Sequence, residues 1–242
     1  MIDVTRDGRV AILRLDRPSK RNALTPAMLR ALGGHLATST SAGAIVLSGV
    51  GDVFCAGFDL ALARDDAGEL EALLRTLDAA CRALRDMPCP VVASAHGAAI
   101  AGGCALLCAC DVVVTEPGAR IGYPAVRLGI SPAVSAPHLG AGIGRGAARA
   151  RLLDPALIDG REAARLGLAA ECVDTRAACE PRAIELAHAL AAKPPHALAY
   201  TKRWLNELEG AADARALDAS LSCVGTPEQQ TLLAAAFAPP TP

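Results

Sequence analysis

Aromatic side chains are nearly missing from this chain of 242 residues: three Phe, two Tyr and one Trp, 2% of the total. Single-stranded nucleic-acid platforms stack bases on aromatic rings, so that class is excluded. An excess of positive charge is missing too. Lys and Arg number 24 against 25 Asp and Glu, a formal net charge of −1. This removes the basic stripe of a duplex binder and the polybasic patch of a membrane anchor. No apolar run escapes punctuation. The longest weakly charged stretch, Cys89 to Cys110, approaches the length of a membrane span. Pro90, His96, Gly97 and Gly102-Gly103 break it into strand, turn and buried helix. The opening MIDVTRDGRVAILRLDRP has charges throughout and lacks the apolar stretch of a secretion signal.

Nine cysteines are present: Cys55, Cys81, Cys89, Cys104, Cys108, Cys110, Cys172, Cys179 and Cys223. An odd count in a long apolar chain argues against a disulfide framework. Reduced, buried thiols fit better, and with them a cytoplasmic location. Hydrophobic residues make up 52% and charged residues 20%. The chain is therefore expected to fold, around a core that is aliphatic rather than aromatic.

Along the chain, Val4 to Leu15 reads as a hairpin turning at Asp7-Gly8. Thr25-Pro26 has the cap and first-turn chemistry of a helix running towards Thr38. Ala44 to Ser48 and Val91 to Ala95 are short apolar runs, and so buried strands. Between them Gly49 to Phe58 is a loop, Asp59 caps a helical segment, and Gly68 to Met87 is an amphipathic helix. Gly97 to Gly103 reads as a turn, Cys104 to Ala109 as a short helix, and Asp111 to Thr115 as a strand. Arg120 to Gly122 is a candidate short strand, and the pattern beyond Leu128 is helical. The tail Ala238 to Pro242 is expected to fray.

Two loops put small residues next to a helix start. They are Phe54-Cys55-Ala56-Gly57-Phe58-Asp59-Leu60 and His96-Gly97-Ala98-Ala99-Ile100-Ala101-Gly102-Gly103-Cys104. A backbone N–H at a helix opening is a fixed donor in a positive partial field. Two such groups facing each other can hold a thioester or enolate oxygen. Either loop alone reads more simply as an ordinary strand-to-helix turn.

RPSKRNAL, IVLSGVGDVFCAGFDL, CPVVASAHGAAIAGGCALLCACDVVV, ARIGYPAVRLGISP and DGREAARLGLAAECV together resemble the enoyl-CoA hydratase/isomerase (crotonase) family, in family order from Val4 to Val173. The resemblance implies an α/β fold: a spiral of repeated ββα units with a C-terminal helical region. Residues 1–190 would form an acyl-CoA-binding core, and 191–242 a helical trimerisation region of the same domain. The ligand would be an acyl-CoA thioester, with coenzyme A as part of the substrate and no separate cofactor. The assembly would be a homotrimer or homohexamer. The backbone N–H groups of Ala56 and Gly102 would form the oxyanion hole. Lys20, Arg21, Ala23, Leu24, Ala56, Asp59, Leu60 and Lys202 would contact coenzyme A. The alternative for Lys202 is a solvated lysine.

The sequence departs from the family where hydration needs two glutamates. The matching positions are Ala105 and Ala125. Methyl groups move no protons, and positioned proton transfer contributes roughly 10²–10⁴ in rate. Three readings follow: another reaction on an acyl-CoA (isomerisation, decarboxylation or thioester hydrolysis), acyl-CoA binding without catalysis, or a paralogue that has lost the ligand as well. His138, on a segment expected beside the acyl pocket, is the candidate replacement acid or base. Its other reading is a helix-surface or subunit-contact residue. Tyr123 reads as a packing residue, Glu116 as a solvated loop acid and His96 as a buried, satisfied imidazole. Cys104, Cys108 and Cys110 read as core residues rather than metal ligands. A helix start next to Cys104 would make that thiol a nucleophile if it lowered its pKa.

Overall fold

The computed structural model describes residues 1–64, 66–210 and 215–238. Its first strands, β1 (Ile2–Asp7) and β2 (Val10–Leu15), form the expected antiparallel hairpin, with Asp7 opposite Val10. Helix α1 (Pro26–Ala37) starts where Thr25 accepts the Met28 N–H and Pro26 fills the first turn. Strand β3 (Ala44–Gly49) follows, then the short α2 (Leu60–Ala63) and the long α3 (Ala67–Arg85), capped by Asp66. Strand β4 (Val91–Ala95) leads through β5 (Ala98–Ile100) into α4 (Gly102–Cys108), β6 (Val112–Thr115) and β7 (Arg120–Gly122). Beyond these come α5 (Ala136–Ile143), α6 (Arg145–Leu153), α7 (Gly160–Leu166), β8 (Glu171–Cys172), α8 (Arg176–Ala191), α9 (Pro195–Glu209), α10 (Arg215–Leu221) and α11 (Pro227–Ala236). The tail expected to fray lies, after Ala238, outside the described residues.

One sheet has the order β1-β2-β3-β4-β6-β8, parallel except at the hairpin. A second pairs β5 with β7, and single bridges at Leu24–Phe58, Cys55–Ala99 and Ile121–Ile158 extend it into a second layer. This is the expected mixed α/β architecture. Two short strands escaped the sequence reading. β5 lies inside the supposed Gly97–Gly103 turn, and β8 lies in the supposedly helical third. Both are too short, at three and two residues, to show a period of two.

Alternation in β2 divides the core. Ala11, Leu13 and Leu15 face the larger cluster with α1, α3 and α4. Val10 and Ile12 join a smaller cluster on the opposite face, closed by Ala183, Ala187 and Ala191 of α8. Glu116 is not a solvated acid: it is 7% exposed and accepts the N–H groups of Gly97 (3.1 Å) and Gly118 (2.5 Å). It thereby braces the turn from β4 into β5. Near the other end, α10 packs on α3 and on the turn Ala133–Ser135, and α11 on the turn Pro124–Leu128. The C-terminal helices thus close over the same segments that line the site described next. Among the described residues, no helix is long and apolar enough to cross a membrane.

Candidate active site

A cavity of about 230 Å³ opens where the two small-residue loops meet. Ala56, Gly57, Phe58 and Leu60 line it from one loop, and Ile100, Ala101 and Gly102 from the other. The loops are zipped together: the Cys55 N–H donates to Ala98 O (2.9 Å) and the Ile100 N–H to Cys55 O (3.0 Å). Approach is close enough that a Cβ on Gly102 would stand 2.9 Å from the Phe58 ring. Gly57 turns the first loop with φ +97, a conformation glycine adopts without steric cost. Ala101 turns the second with φ 46 and ψ −105, which an L side chain rarely adopts. Its N–H donates to Gly122 O at 2.8 Å, tying the strained turn to β7.

The structure corrects the oxyanion-hole assignment on one side. The Ala56 N–H donates to Arg21 O at 3.0 Å and has no capacity left for a ligand. Two residues on, Leu24 pairs with the backbone around Phe58: the Leu24 N–H donates to Gly57 O, and the Asp59 N–H to Leu24 O. The Phe58 N–H is skipped by this bridge and donates to no described residue. Gly102, first residue of α4, likewise keeps an N–H without an acceptor among the described residues. Both line the cavity. The free donors are therefore Phe58 and Gly102, not Ala56 and Gly102. The signal that was missed is the alternation of the bridge, which only the strand-like pairing with Leu24 reveals.

Asn22 holds this arrangement and was also missed. It is fully buried with φ 55. Its Oδ1 accepts the Arg17 N–H, and its Nδ2 lies 2.9, 2.9 and 3.2 Å from the carbonyls of Val50, Val53 and Phe54. Arg17 adds a second clamp, donating to Ala23 O and pairing with Asp59 at 2.7 Å. Asp59 stands at the start of α2 as expected, but its carboxylate faces Arg17 and caps no helix N–H.

Apart from Asp59, which is turned to Arg17 and does not line the cavity, the residues expected to contact coenzyme A divide into three groups. Ala56 and Leu60 line the cavity, and Leu24 backs it, with a methyl 3.0 Å from where a Gly102 Cβ would stand. Lys20 and Arg21 are exposed on the adjoining loop, beside half-buried Ala23. Lys202 does not line this cavity, and it is not a solvated lysine. It is 8% exposed, and its ammonium donates to Leu84 O, Cys89 O and Asp111 Oδ2, the last at 2.7 Å. Its charge ties α9 to the ends of α3 and β6.

Ala125 lines the cavity. Ala105 is fully buried one turn into α4, among the core residues. No Asp, Glu or His is among the described lining residues, and Arg127, exposed, is the one charged residue there. His138 is not beside this cavity. It borders a second one of about 180 Å³, with Arg85, Cys108, Asp111 and Glu209. Burial, then the neighbouring Arg85 charge, lowers its pKa from 6.5 to about 4, so the imidazole is neutral at pH 7. His96 is buried as expected, with Nε2 3.1 Å from Gly51 O.

Tyr123 and Cys108 form the wall between the two cavities, with the hydroxyl 3.3 Å from Sγ. Burial pushes the Tyr123 hydroxyl well up, and the Cys104 thiol likewise. Cys104 is thus held as a thiol in the core, as its core reading has it, and the lowered pKa that a nucleophile would need is not met. Hydrogen bonding from Cys104 instead pulls Cys108 down.

The family model for enoyl-CoA hydratase/isomerase matches residues 5–231. The "Putative enoyl-CoA hydratase" of Thermus thermophilus is 36% identical over 215 residues, covering 84% of this chain and 83% of that protein. The 2,3-dehydroadipyl-CoA hydratase of Escherichia coli is 35% identical over 215 residues, covering 86% and 83%. An enoyl-CoA hydratase/isomerase structure from Xanthobacter autotrophicus Py2 superposes with a TM-score of 0.88 at 26% identity, covering 97% of this chain and 92% of that one. The chain belongs to the enoyl-CoA hydratase/isomerase family, the crotonase superfamily.

Proposed function

We propose that this protein binds an acyl-CoA thioester with its carbonyl oxygen between the N–H groups of Phe58 and Gly102. The observation that carries the reading is the coincidence of two unused backbone donors on one largely apolar cavity. Donors fixed in a water-poor site polarise a thioester carbonyl and stabilise the enolate formed from it. The acyl chain lies along Leu60, Leu74 and Leu77. The exposed loop of Lys20 and Arg21 leads the coenzyme A portion outward, its cations matching the phosphates.

The reaction is not two-carboxylate hydration. No described residue lining the cavity is positioned as an acid or base, since the one imidazole suggested for the task lies behind the Tyr123–Cys108 wall. Chemistry that leans on the oxyanion hole, such as isomerisation, decarboxylation or thioester hydrolysis, remains open to the site. The same absence favours a second reading, an acyl-CoA binder without turnover. A homotrimer or homohexamer would cover Tyr200, Trp204, Leu205 and Leu208, an exposed apolar stripe on α9.

Crotonyl-CoA tests the proposal. Titration calorimetry is expected to detect binding of a saturated acyl-CoA. Loss of the conjugated enoyl absorbance is expected at about 10⁻² or less of the rate of a two-glutamate family member. Hydration at a comparable rate would overturn the reading of Ala105 and Ala125. Absence of acyl-CoA binding would overturn the site itself.

A further inference from the structure

Ser135 lines the acyl cavity and is 3% exposed. It stands directly before α5, where a serine normally spends its hydroxyl capping the helix. Here it does not. The 3-10 turn Ala133–Ser135 runs straight into α5, Ser135 itself has helical φ −83 and ψ −17, and its side chain makes no cap hydrogen bond. The Ser135 N–H is used, donating to Pro132 O at 3.0 Å, but the hydroxyl bonds to no described residue. Nor is that oxygen sealed in the packing. The sealed, unpartnered side-chain polar atoms among the described residues are Arg85 Nε, Ser94 Oγ and His138 Nδ1. Of the two cavities described above, Ser135 borders only this one, so this is the cavity its oxygen has to face.

An unused hydroxyl in an apolar pocket is a recognition element. A buried polar group left unpaired by its ligand carries a desolvation penalty, and a ligand oxygen or N–H that meets it removes that penalty. The other polar side chains on the cavity do not compete deep inside it. Tyr123 is turned to Cys108, Arg127 is exposed, and Ser131 is less buried than Ser135. An ordinary alkyl or enoyl chain offers the Ser135 hydroxyl nothing.

We propose that Ser135 is a specificity-determining residue, and that the preferred ligand is an acyl thioester whose chain carries a hydroxyl or keto oxygen hydrogen-bonded to it. This rests on the acyl-CoA reading above and names its substrate class. The hydroxyl serves as donor to a keto oxygen or as acceptor from a ligand hydroxyl. No proton is transferred, so the absence of a neighbouring base is no obstacle.

The test is calorimetry with hexanoyl-CoA, 3-oxohexanoyl-CoA and the 3-, 4- and 5-hydroxyhexanoyl-CoA isomers. It is run on the full chain and on Ser135→Ala and Ser131→Ala. At least one oxygenated ligand is expected to bind roughly five- to tenfold tighter than hexanoyl-CoA, the scale of one net hydrogen bond. Ser135→Ala should erase that preference while leaving hexanoyl-CoA affinity equal or better, and Ser131→Ala should keep it. A merely structural serine would instead weaken all ligands together. Equal binding of all five, or a preference erased only by Ser131→Ala, overturns the assignment to Ser135 and leaves the acyl-CoA reading standing. Failure of every ligand, hexanoyl-CoA included, overturns both.

Discussion

Two cavities lie on either side of the Tyr123–Cys108 contact, and on the acyl-CoA reading proposed above they divide between them what a hydratase keeps together. The acyl cavity has the free N–H groups of Phe58 and Gly102 and no described Asp, Glu or His on its wall. The second cavity carries Arg85, Cys108, Asp111, His138 and Glu209. There the charges are already matched: Arg85 pairs with Glu209, and Asp111 with Lys202. Polarising power and proton-transfer capacity are thus in separate compartments. Backbone donors survive changes of side chain, because a loop bridge and a strained turn fix them. Carboxylates do not, because each depends on a single codon. On the proposed reading, a family member without the acid and base would still present an intact place for a thioester oxygen.

Restoring a carboxylate to the acyl cavity should break this separation most. Ala125 faces the cavity and is only partly buried, so Ala125→Glu adds a carboxylate that solvent can still reach. Crotonyl-CoA hydration should rise about 10²-fold over the unsubstituted chain, the lower end of what one positioned proton-transfer group contributes. The enoyl absorbance assay reads this directly. His138→Asn should leave the low basal rate unchanged. A fall in that rate would show that the imidazole reaches the substrate after all.

The second cavity has its own signature in the pH dependence of stability. The His138 pKa is about 4 in the folded chain against 6.5 for an ordinary histidine, because burial and Arg85 disfavour the cation; Arg82 adds to this and Asp78 opposes it. Between pH 6.5 and 4 the unfolded chain binds the proton and the folded chain does not. Stability from this group is complete above pH 6.5 and drains away as pH falls through that window, by about 3 kcal/mol at its lower end. Denaturant unfolding at pH 7 and pH 4.5 should show the loss in the parent and a shallower one in His138→Asn. Equal slopes would mean that His138 is solvated in the folded protein.

These same residues show what the sequence carried and what it withheld. Strands β2, β3, β4 and β6 announce themselves as apolar runs, α1 by its Thr25-Pro26 start and α3 by its amphipathic periodicity. The family resemblance points to Gly102 and Ala125, and the structure sets both on the cavity, while Ala105, which it also singles out, is buried in the core of α4. The second donor was not legible in this way. Ala56 and Phe58 both sit in a small-residue loop, and only the register of the Leu24 bridge tells which N–H is spent. Lys202 fails for a related reason. A lysine four residues after Leu198 on an amphipathic helix looks solvated. Yet its four-carbon stem carries the ammonium inward to three oxygens contributed by residues more than 90 positions earlier. His138 was placed on the correct segment, but three residues of helix, about 4.5 Å of rise, separate it from Ser135. That distance is the difference between the two cavities.

The wall itself gives the smallest expected effect and the finest test of the separation. Tyr123 shows its ring to the acyl cavity and its hydroxyl to Cys108. Tyr123→Phe removes that hydroxyl without changing the apolar surface that an acyl chain meets. Cys108 then loses one partner, while its other, Cys104, remains on the same helix. The expected cost is about 1 kcal/mol of stability, that of one buried hydrogen bond. Acyl-CoA affinity should stay within twofold of the parent, because on the proposed reading no ligand atom would meet the lost oxygen. A tenfold fall in affinity at unchanged stability would place the hydroxyl on the ligand side, and the two cavities would then communicate through the wall that is here taken to divide them.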